Sequence, residues 1–270
     1  MKLLLRFYPI LAIFVFLSCK EQPTTSETGM ADIIGRAVLR DDFGDLIPPY
    51  DSILVSLDGT SISTMTDDSG NFELKNVPGG TYDFRFSKTG YGTIRWFGKS
   101  IQGGGNSPIY INNTVNQFYQ ELTQISPTVL TLQSAIISNG ILTVAGTYKT
   151  PLPYYSNGIA IYISHSANVS SVPGSYDYFD YASAENEIAT AFDTTNNTFI
   201  CLASLSDINQ AGFASGDSAY IVTYGAPLFD GAIYVNNQEF ICEYYDPIIQ
   251  QPVMSSVNQT PSPVFGLKIP

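Results

Sequence analysis

Few residues in this chain of 270 have the types and spacing that catalysis needs. The sequence contains one histidine, His165, and no His-Glu-x-x-His, Gly-x-Ser-x-Gly, Walker or Cys-x-x-Cys motif. Two carboxylates alone can hydrolyse a glycosidic bond, and Asp177, Asp180, Glu185 and Glu187 are of that type, but nothing in the sequence fixes their separation. We therefore predict a protein that is not an enzyme and that has no catalytic residue, no metal and no cofactor.

Aromatic side chains are the remaining candidates for contact with a ligand. Trp96 is the sole tryptophan and is followed by Phe97. This pair predicts either a platform on which a sugar ring stacks or a half-buried edge strand. Four tyrosines in predicted loops complete the set of candidate contacts, and each has core or loop packing as its alternative role: Tyr154, Tyr155, Tyr176 and Tyr178.

Two of the three cysteines fall in predicted strands of the C-terminal half. Cys201 and Cys242 would form a disulfide in an oxidising compartment if their Cα atoms lay less than about 7 Å apart. Buried thiols are the alternative. Neither cysteine has a histidine partner nearby in the sequence, so neither is a candidate nucleophile.

The N-terminal residues have the pattern of an export signal. A basic start, an apolar stretch from Leu11 to Leu17 and the small Ser18 predict a secretory signal peptide over residues 1–18, too short to span a membrane. Cys19 then resembles the lipidated cysteine of bacterial lipoproteins, although Phe16 stands where that signal usually has Leu. An ordinary signal peptide followed by a chance cysteine is the alternative.

Residues 19–30 are polar and predict a flexible tether. The start resembles that of a Bacteroidetes-type lipoprotein. This resemblance implies a protein anchored to the outer membrane through a lipid on Cys19, either on the periplasmic face or on the cell surface.

Composition excludes some partners. The chain has 12 basic and 24 acidic residues and a net charge of −12, which disfavours nucleic acid and anionic lipid headgroups as partners. The low fraction of charged residues and the abundance of Tyr, Asn, Ser, Thr and Gly are typical of an extracellular all-β protein. Asp41, Asp42 and Asp45 fit no calcium-loop spacing, so we predict an acidic turn there.

One stretch, from Thr66 to Tyr91, carries a regular pattern of turns and strands. Asp67-Asp68-Ser69-Gly70 has the residues of a tight turn. Phe72 and Leu74 then alternate with polar residues, and the same period of two continues in Tyr82, Phe84 and Phe86. The pattern predicts half-buried antiparallel strands.

At these residues the sequence resembles the carboxypeptidase regulatory-like family. The resemblance implies a small transthyretin-like β-sandwich over residues 31–122, and it implies an accessory module rather than an activity. Residues 126–270 are predicted to form a second β-sandwich. Its segment Gly216–Gly225 resembles a late strand of a fibronectin type III domain. The fold class is thus all-β, with two tandem sandwiches of the immunoglobulin or transthyretin type.

Three functions remain open at this point. The first is a non-catalytic envelope lipoprotein whose β-sandwich loops bind a glycan or an envelope protein. The second is a structural or pilus-like subunit that passes the late segment Val264–Ile269 to a neighbour by strand addition. The third is a carboxylate-based glycoside hydrolase, which would need two close, facing carboxylates in a cleft.

Overall fold

The computed structural model describes residues 29–104, 109–110, 119–151, 158–183, 190–228, 232–235 and 238–270. Regular structure there is almost entirely β, which confirms the all-β prediction. Within that part of the chain no helix is long and apolar enough to cross a membrane. Outside the described residues lie the predicted signal peptide, Cys19 and most of the tether, as do four candidate side chains, Tyr154, Tyr155, Glu185 and Glu187.

The N-terminal part forms a sandwich of two four-stranded sheets. One sheet has the order β4-β1-β7, with β8 also beside β1, and both β7 and β8 run parallel to β1. The other sheet has the order β3-β2-β5-β6 and is antiparallel. The strands are β1 (Met30–Arg40), β2 (Leu54–Leu57), β3 (Ser63–Met65), β4 (Asn71–Pro78), β5 (Gly80–Ser87), β6 (Ile94–Ile101), β7 (Ile109–Tyr110) and β8 (Tyr119–Thr123).

The core of this first sandwich follows the predicted alternation. Phe72 and Leu74 on β4 and Phe84 and Phe86 on β5 are buried, whereas Glu73 between the first two is exposed. The Phe72 and Phe86 rings meet edge to face across the two sheets, with their centroids 5.9 Å apart. Alternating side chains point to opposite faces of a strand, so one face of each strand fills the core.

The predicted turn before β4 also forms. The Asp67 carboxylate accepts hydrogen bonds from the backbone N–H groups of Ser69 and Asn71, at 2.9 and 2.8 Å. Gly70 has φ +85°, a conformation that side-chain-bearing residues rarely adopt. Its carbonyl accepts a bond from the Ala37 amide of β1, so the turn is tied to the sheet.

The C-terminal part forms a second sandwich. Its sheets have the orders β13-β14-β10-β9 and β12-β11-β15-β20, and two small hairpins, β16-β17 and β18-β19, are added to them. The elements are β9 (Val129–Ser138), β10 (Ile141–Lys149), β11 (Gly158–Ser164), β12 (Tyr178–Ser183), β13 (Thr190–Asp193), β14 (Thr198–Ser204), α1 (Leu205–Gln210), β15 (Ser218–Ala226), β16 (Ala232–Val235), β17 (Gln238–Ile241), β18 (Tyr244–Asp246), β19 (Gln251–Val253) and β20 (Phe265–Lys268).

The sheet containing β11 is covered on both faces. Ile159, Ile161 and Ile163 face the core between the two sheets, as their spacing predicts. On the opposite face Tyr162 packs in a second apolar cluster, which Met254 helps to close. Every residue of β11 is therefore buried. A strand covered on both faces reads as a continuous apolar run.

The structure corrects the predicted loop at residues 176–181. This segment enters β12, an edge strand that pairs with β11 from Tyr178 onward. Tyr178 faces the core between the sheets, whereas Phe179 packs in the cluster on the other face. Because aromatic and acidic residues occupy both faces, the alternation that marks a half-buried strand is missing.

The chain forms one short helix among the described residues. Its N-cap is Ser204, whose side chain accepts a hydrogen bond from the Asp207 amide. The helix α1 follows β14 without a loop, and Ile208 anchors it in the core.

The predicted late strand forms as β20, and it belongs to the chain's own sheet. It pairs antiparallel with β15, and the buried Ile269 that follows it exchanges backbone hydrogen bonds with Gly216 and Asp217. The segment that strand donation would require is thus the edge strand of its own sandwich.

The two sandwiches contact each other through the segment around β18 and β19. Tyr244 packs against the core of the first sandwich, and the Ser255 hydroxyl donates to the Thr93 carbonyl at 2.9 Å. The Ser126 amide donates to the Ser256 carbonyl at 2.8 Å. The predicted junction near Ser126 lies between β8 and β9 and is held at this contact.

Candidate ligand cleft

A cleft of about 650 Å³ lies along the free edge of β12. Its lining comes from three places: β12 with the two residues before it, the helix α1, and the hairpin β18-β19. In an edge strand half of the backbone N–H and C=O groups point away from the sheet. The residues Tyr178–Tyr181 of this edge strand belong to the lining.

One wall of the cleft is formed by Tyr178 and Asp180 together with α1. The Tyr178 hydroxyl donates to Oδ2 of Asp180 at 3.1 Å, and the Tyr181 amide donates to Oδ1 at 2.8 Å. Burial raises the pKa of Asp180 to about 6; the two hydrogen bonds oppose this shift and the Asp207 carboxylate adds to it. Burial, with the neighbouring Asp180, also raises the pKa of Tyr178.

The opposite wall is built on Tyr176 and Gln251. The Tyr176 side chain is buried and its hydroxyl donates to the Pro252 carbonyl. The Gln251 side chain donates to the Tyr176 carbonyl and accepts from the Gly174 amide at 2.8 Å. These bonds fix the hairpin β18-β19 against the start of β12, and Tyr245 and Gln250 complete this side of the lining.

The single histidine lies beside the cleft, and its contacts do not form a catalytic relay. Ser164 Oγ and His165 Nδ1 both contact the same Asp177 oxygen, at 2.9 and 3.1 Å. In a triad the imidazole stands between the hydroxyl and the carboxylate, which is not the order here. The His165 ring stacks on Phe213 with centroids 3.9 Å apart. Burial raises the pKa of Asp177, but the bonds from His165 and Ser164 outweigh it and leave the pKa below its usual range.

Two of the predicted contact residues, Tyr176 and Tyr178, line this cleft. Trp96 lies in the first sandwich, on the edge strand β6, where its ring packs against Phe84 and Phe86 and its Nε1–H donates to Gln120 at 2.8 Å. This is the half-buried edge-strand arrangement that the sequence left open.

Cys201 and Cys242 are both buried, and no disulfide joins them. The predicted disulfide is therefore replaced by its alternative, buried thiols. Cys201 lies on β14 within the core between the sheets. Cys242 lies beyond the opposite face, next to Tyr162 and Tyr176, and burial raises the pKa of its thiol to about 12.

Several lining residues were not identified from the sequence. Asp207 and Gln210 are separated by three positions on α1, which places them on one side of a helix, and this is the only signal that could have pointed to them. Tyr245 lies on β18 and Gln250 in the turn before β19, and no local sequence pattern marks either as a cleft residue. Among the described residues no group of three or more His, Cys, Asp or Glu side chains is placed to hold a metal ion.

Comparison with known families tests the resemblance found in the N-terminal half. Residues 49–125 match the model described as the CarboxypepD_reg-like domain. The matched stretch spans β2 to β8. The sandwich also includes β1, which precedes the match and pairs with β4 and β8. The predicted regulatory-like resemblance is confirmed, whereas the fibronectin type III resemblance of the C-terminal half stays a prediction.

Solved structures with a related arrangement share little sequence with this chain. One is a proposed carbohydrate-binding protein from Bacteroides uniformis, at 14% identity over 89% of this chain and 100% of that chain, with a TM-score of 0.30. Another is a DUF3823 family protein from Parabacteroides merdae, at 11% identity over 89% and 100%, with a TM-score of 0.31. The major pilin subunit of Bacillus cereus has 12% identity over 77% and 67%, with a TM-score of 0.25. At these TM-scores the similarity carries no argument about function. A comparison with curated proteins finds no match.

Proposed function

We propose that this chain is a non-catalytic cell-envelope lipoprotein that binds a glycan in the cleft beside β12. The observation that carries the proposal is the lining of the cleft, in which carboxylates and amides stand next to tyrosine rings. Ligand sites are concave and combine apolar or aromatic surface with a few oriented polar groups. A pyranose ring needs both, because its hydroxyls form hydrogen bonds and its C–H faces pack on rings.

Several of these polar groups are held in place before a ligand arrives. Asp180 is oriented by Tyr178 and by the Tyr181 amide, and Gln251 is oriented by two backbone groups. Groups that are already ordered lose little conformational freedom when a ligand binds. Because a carboxylate has about four acceptor positions, Asp180 retains room to accept hydroxyl groups.

The location of the protein is part of the proposal and is supported by the sequence. The signal-like residues 1–18, the cysteine at position 19 and the polar tether 19–30 would place both sandwiches outside the cytoplasm on a lipid anchor. We propose that this location is the outer membrane of a Bacteroidetes-type bacterium. Metabolic labelling with a lipid precursor, lost in Cys19→Ser, would test the anchor.

A glycan array tests the binding function. We expect the purified full chain to bind a defined set of oligosaccharides and Tyr245→Ala to weaken that binding at least about tenfold, because the variant removes a ring from the lining. Tyr82→Ala removes another partly buried tyrosine, in the first sandwich, and should leave the binding unchanged. An array without any signal for the folded chain would contradict the proposal.

A second candidate function, glycoside hydrolysis, is favoured by one observation. Asp180 and Asp177 line the same cleft and their pKa values are shifted in opposite directions. Glycosidases use one acid with a raised pKa and one ionised carboxylate. Hydrolysis would release reducing ends from a bound oligosaccharide, and Asp180→Asn would abolish the release. Binding without any release would leave the non-catalytic function.

A further inference from the structure

Among the residues that the structure describes, the lining of the cleft beside β12 carries negative charge and no positive charge. Asp177, Asp180 and Asp207 contribute carboxylates, and the other lining side chains are aromatic, amide or apolar. A ligand carboxylate or sulfate that entered this cleft would meet like charge in a partly enclosed space. Water and salt screen such charges less well there than on an open surface.

Asp180 and Asp207 are the charged residues of the wall that β12 and α1 form together. Asp180 is held by Tyr178 and the Tyr181 amide, so its carboxylate cannot simply turn away from a ligand. Asp207 comes from the first turn of α1, where the exposed helix amides favour a negative charge. The Asp207 carboxylate adds to the rise in the pKa of Asp180.

We propose that the cleft selects glycans by charge, so that it takes neutral glycans and excludes those with uronate or sulfate groups. Asp180 and Asp207 are the specificity-determining residues. A neutral sugar presents hydroxyl groups, which donate hydrogen bonds to both oxygens of a carboxylate. The uronate or sulfate group of an acidic sugar is a second anion, and no donor stands between it and the protein carboxylate. This inference rests on the proposed glycan-binding function and adds to it the class of glycan.

Matched pairs of oligosaccharides test the inference directly. The probes are cellotetraose and mannotetraose, each compared with the tetramer that carries a carboxylate at C6 of every ring. For a neutral probe that binds the full chain, we expect the acidic counterpart to bind at least about tenfold more weakly, because like charges oppose binding. In the double variant Asp180→Asn, Asp207→Asn this difference should shrink to about threefold or less.

The control removes one charge elsewhere. Asp68→Asn changes an exposed carboxylate in the first sandwich and should leave the preference for neutral probes unchanged. Acidic probes that bind the wild type as tightly as neutral ones would overturn the inference while leaving glycan binding intact. The same holds if the preference persists undiminished in the double variant. If the folded chain binds neither these probes nor any other glycan of an array, the proposed function fails and the inference fails with it.

Discussion

Glu243 is a buried carboxylate at the contact between the two sandwiches. Its Oε2 accepts hydrogen bonds from the Ser255 amide and hydroxyl and from the Ser256 amide, whereas no hydrogen-bond partner among the described residues reaches Oε1. A Cβ added to Gly92 would lie 2.8 Å from Oε1, so this oxygen is packed against the first sandwich. Burial raises the pKa of Glu243, although the hydrogen bonds to its carboxylate oppose the shift.

This raised pKa predicts how stability depends on pH. The folded state binds the Glu243 proton more tightly than the unfolded state does. The stability that this proton contributes is therefore complete below the ordinary pKa of 4.5 and is lost as the pH rises through the folded-state pKa. Glu243→Gln removes the charge and should be about 1 kcal/mol more stable than wild type at pH near 8. The difference should shrink toward a pH of about 4.

Urea unfolding across this pH range measures the effect. Glu73→Gln is the control, because Glu73 is exposed and its carboxylate lies 3.3 Å from the ammonium group of the exposed Lys75. It should change stability by less than about 0.5 kcal/mol at any pH. A Glu243→Gln variant that is less stable than wild type at high pH would show that the ionised carboxylate is stabilising, contrary to this account.

At the scale of elements, the turn before β4 packs closely against the neighbouring strand β1. A Cβ on Gly70 would lie 2.1 Å from the Ala37 carbonyl oxygen, and Gly70 has φ +85°. Gly59, in the turn after β2, has a similar φ of +74° but nothing within 4 Å of its Cβ position. The two glycines therefore separate the effect of backbone conformation from the effect of close packing.

We expect Gly59→Ala to cost about 1 kcal/mol of unfolding free energy, because its left-handed conformation is strained for alanine. Gly70→Ala should cost about 2 kcal/mol more, because its methyl group also overlaps the β1 backbone. Equilibrium urea unfolding of both variants measures this difference. Equal losses would mean that β1 moves aside at little cost.

Sequence reasoning worked where one face of a strand is buried and the other is not. The alternation of Phe72 and Leu74, and of Phe84 and Phe86, predicted both the strands and their buried faces. It failed at β12, which is covered on both faces and carries a partly buried aspartate, Asp180. Periodicity carries no information about a layer that a distant segment adds.

The same reason limits prediction of the cleft. Tyr176 and Tyr178 were identified by residue type, but Tyr178 lies on β12 and not in the predicted loop. Asp207, Gln210 and Tyr245 reach the cleft from elements that are distant in sequence, and their meeting depends on tertiary packing. Trp96, the most conspicuous aromatic residue, belongs to the packing of the first sandwich.

At the scale of the whole molecule, the hairpin β18-β19 connects the cleft to the first sandwich. Tyr245 and Gln251 line the cleft. Tyr244, the first residue of β18, packs on the core of the first sandwich. The Phe97 and Tyr244 rings lie 6.3 Å apart across the two sandwiches. The first sandwich thus supports one wall of the cleft.

Calorimetric titration of an oligosaccharide that binds the chain, with two variants on one helix, tests the central claim most directly. Gln210 lines the cleft, whereas the neighbouring Asn209 is exposed on the same helix outside the lining. We expect Gln210→Ala to raise the dissociation constant at least about tenfold and Asn209→Ala to change it less than about twofold. Equal effects of the two substitutions, or no effect of Gln210→Ala, would contradict the assignment of the cleft beside β12 as the glycan site.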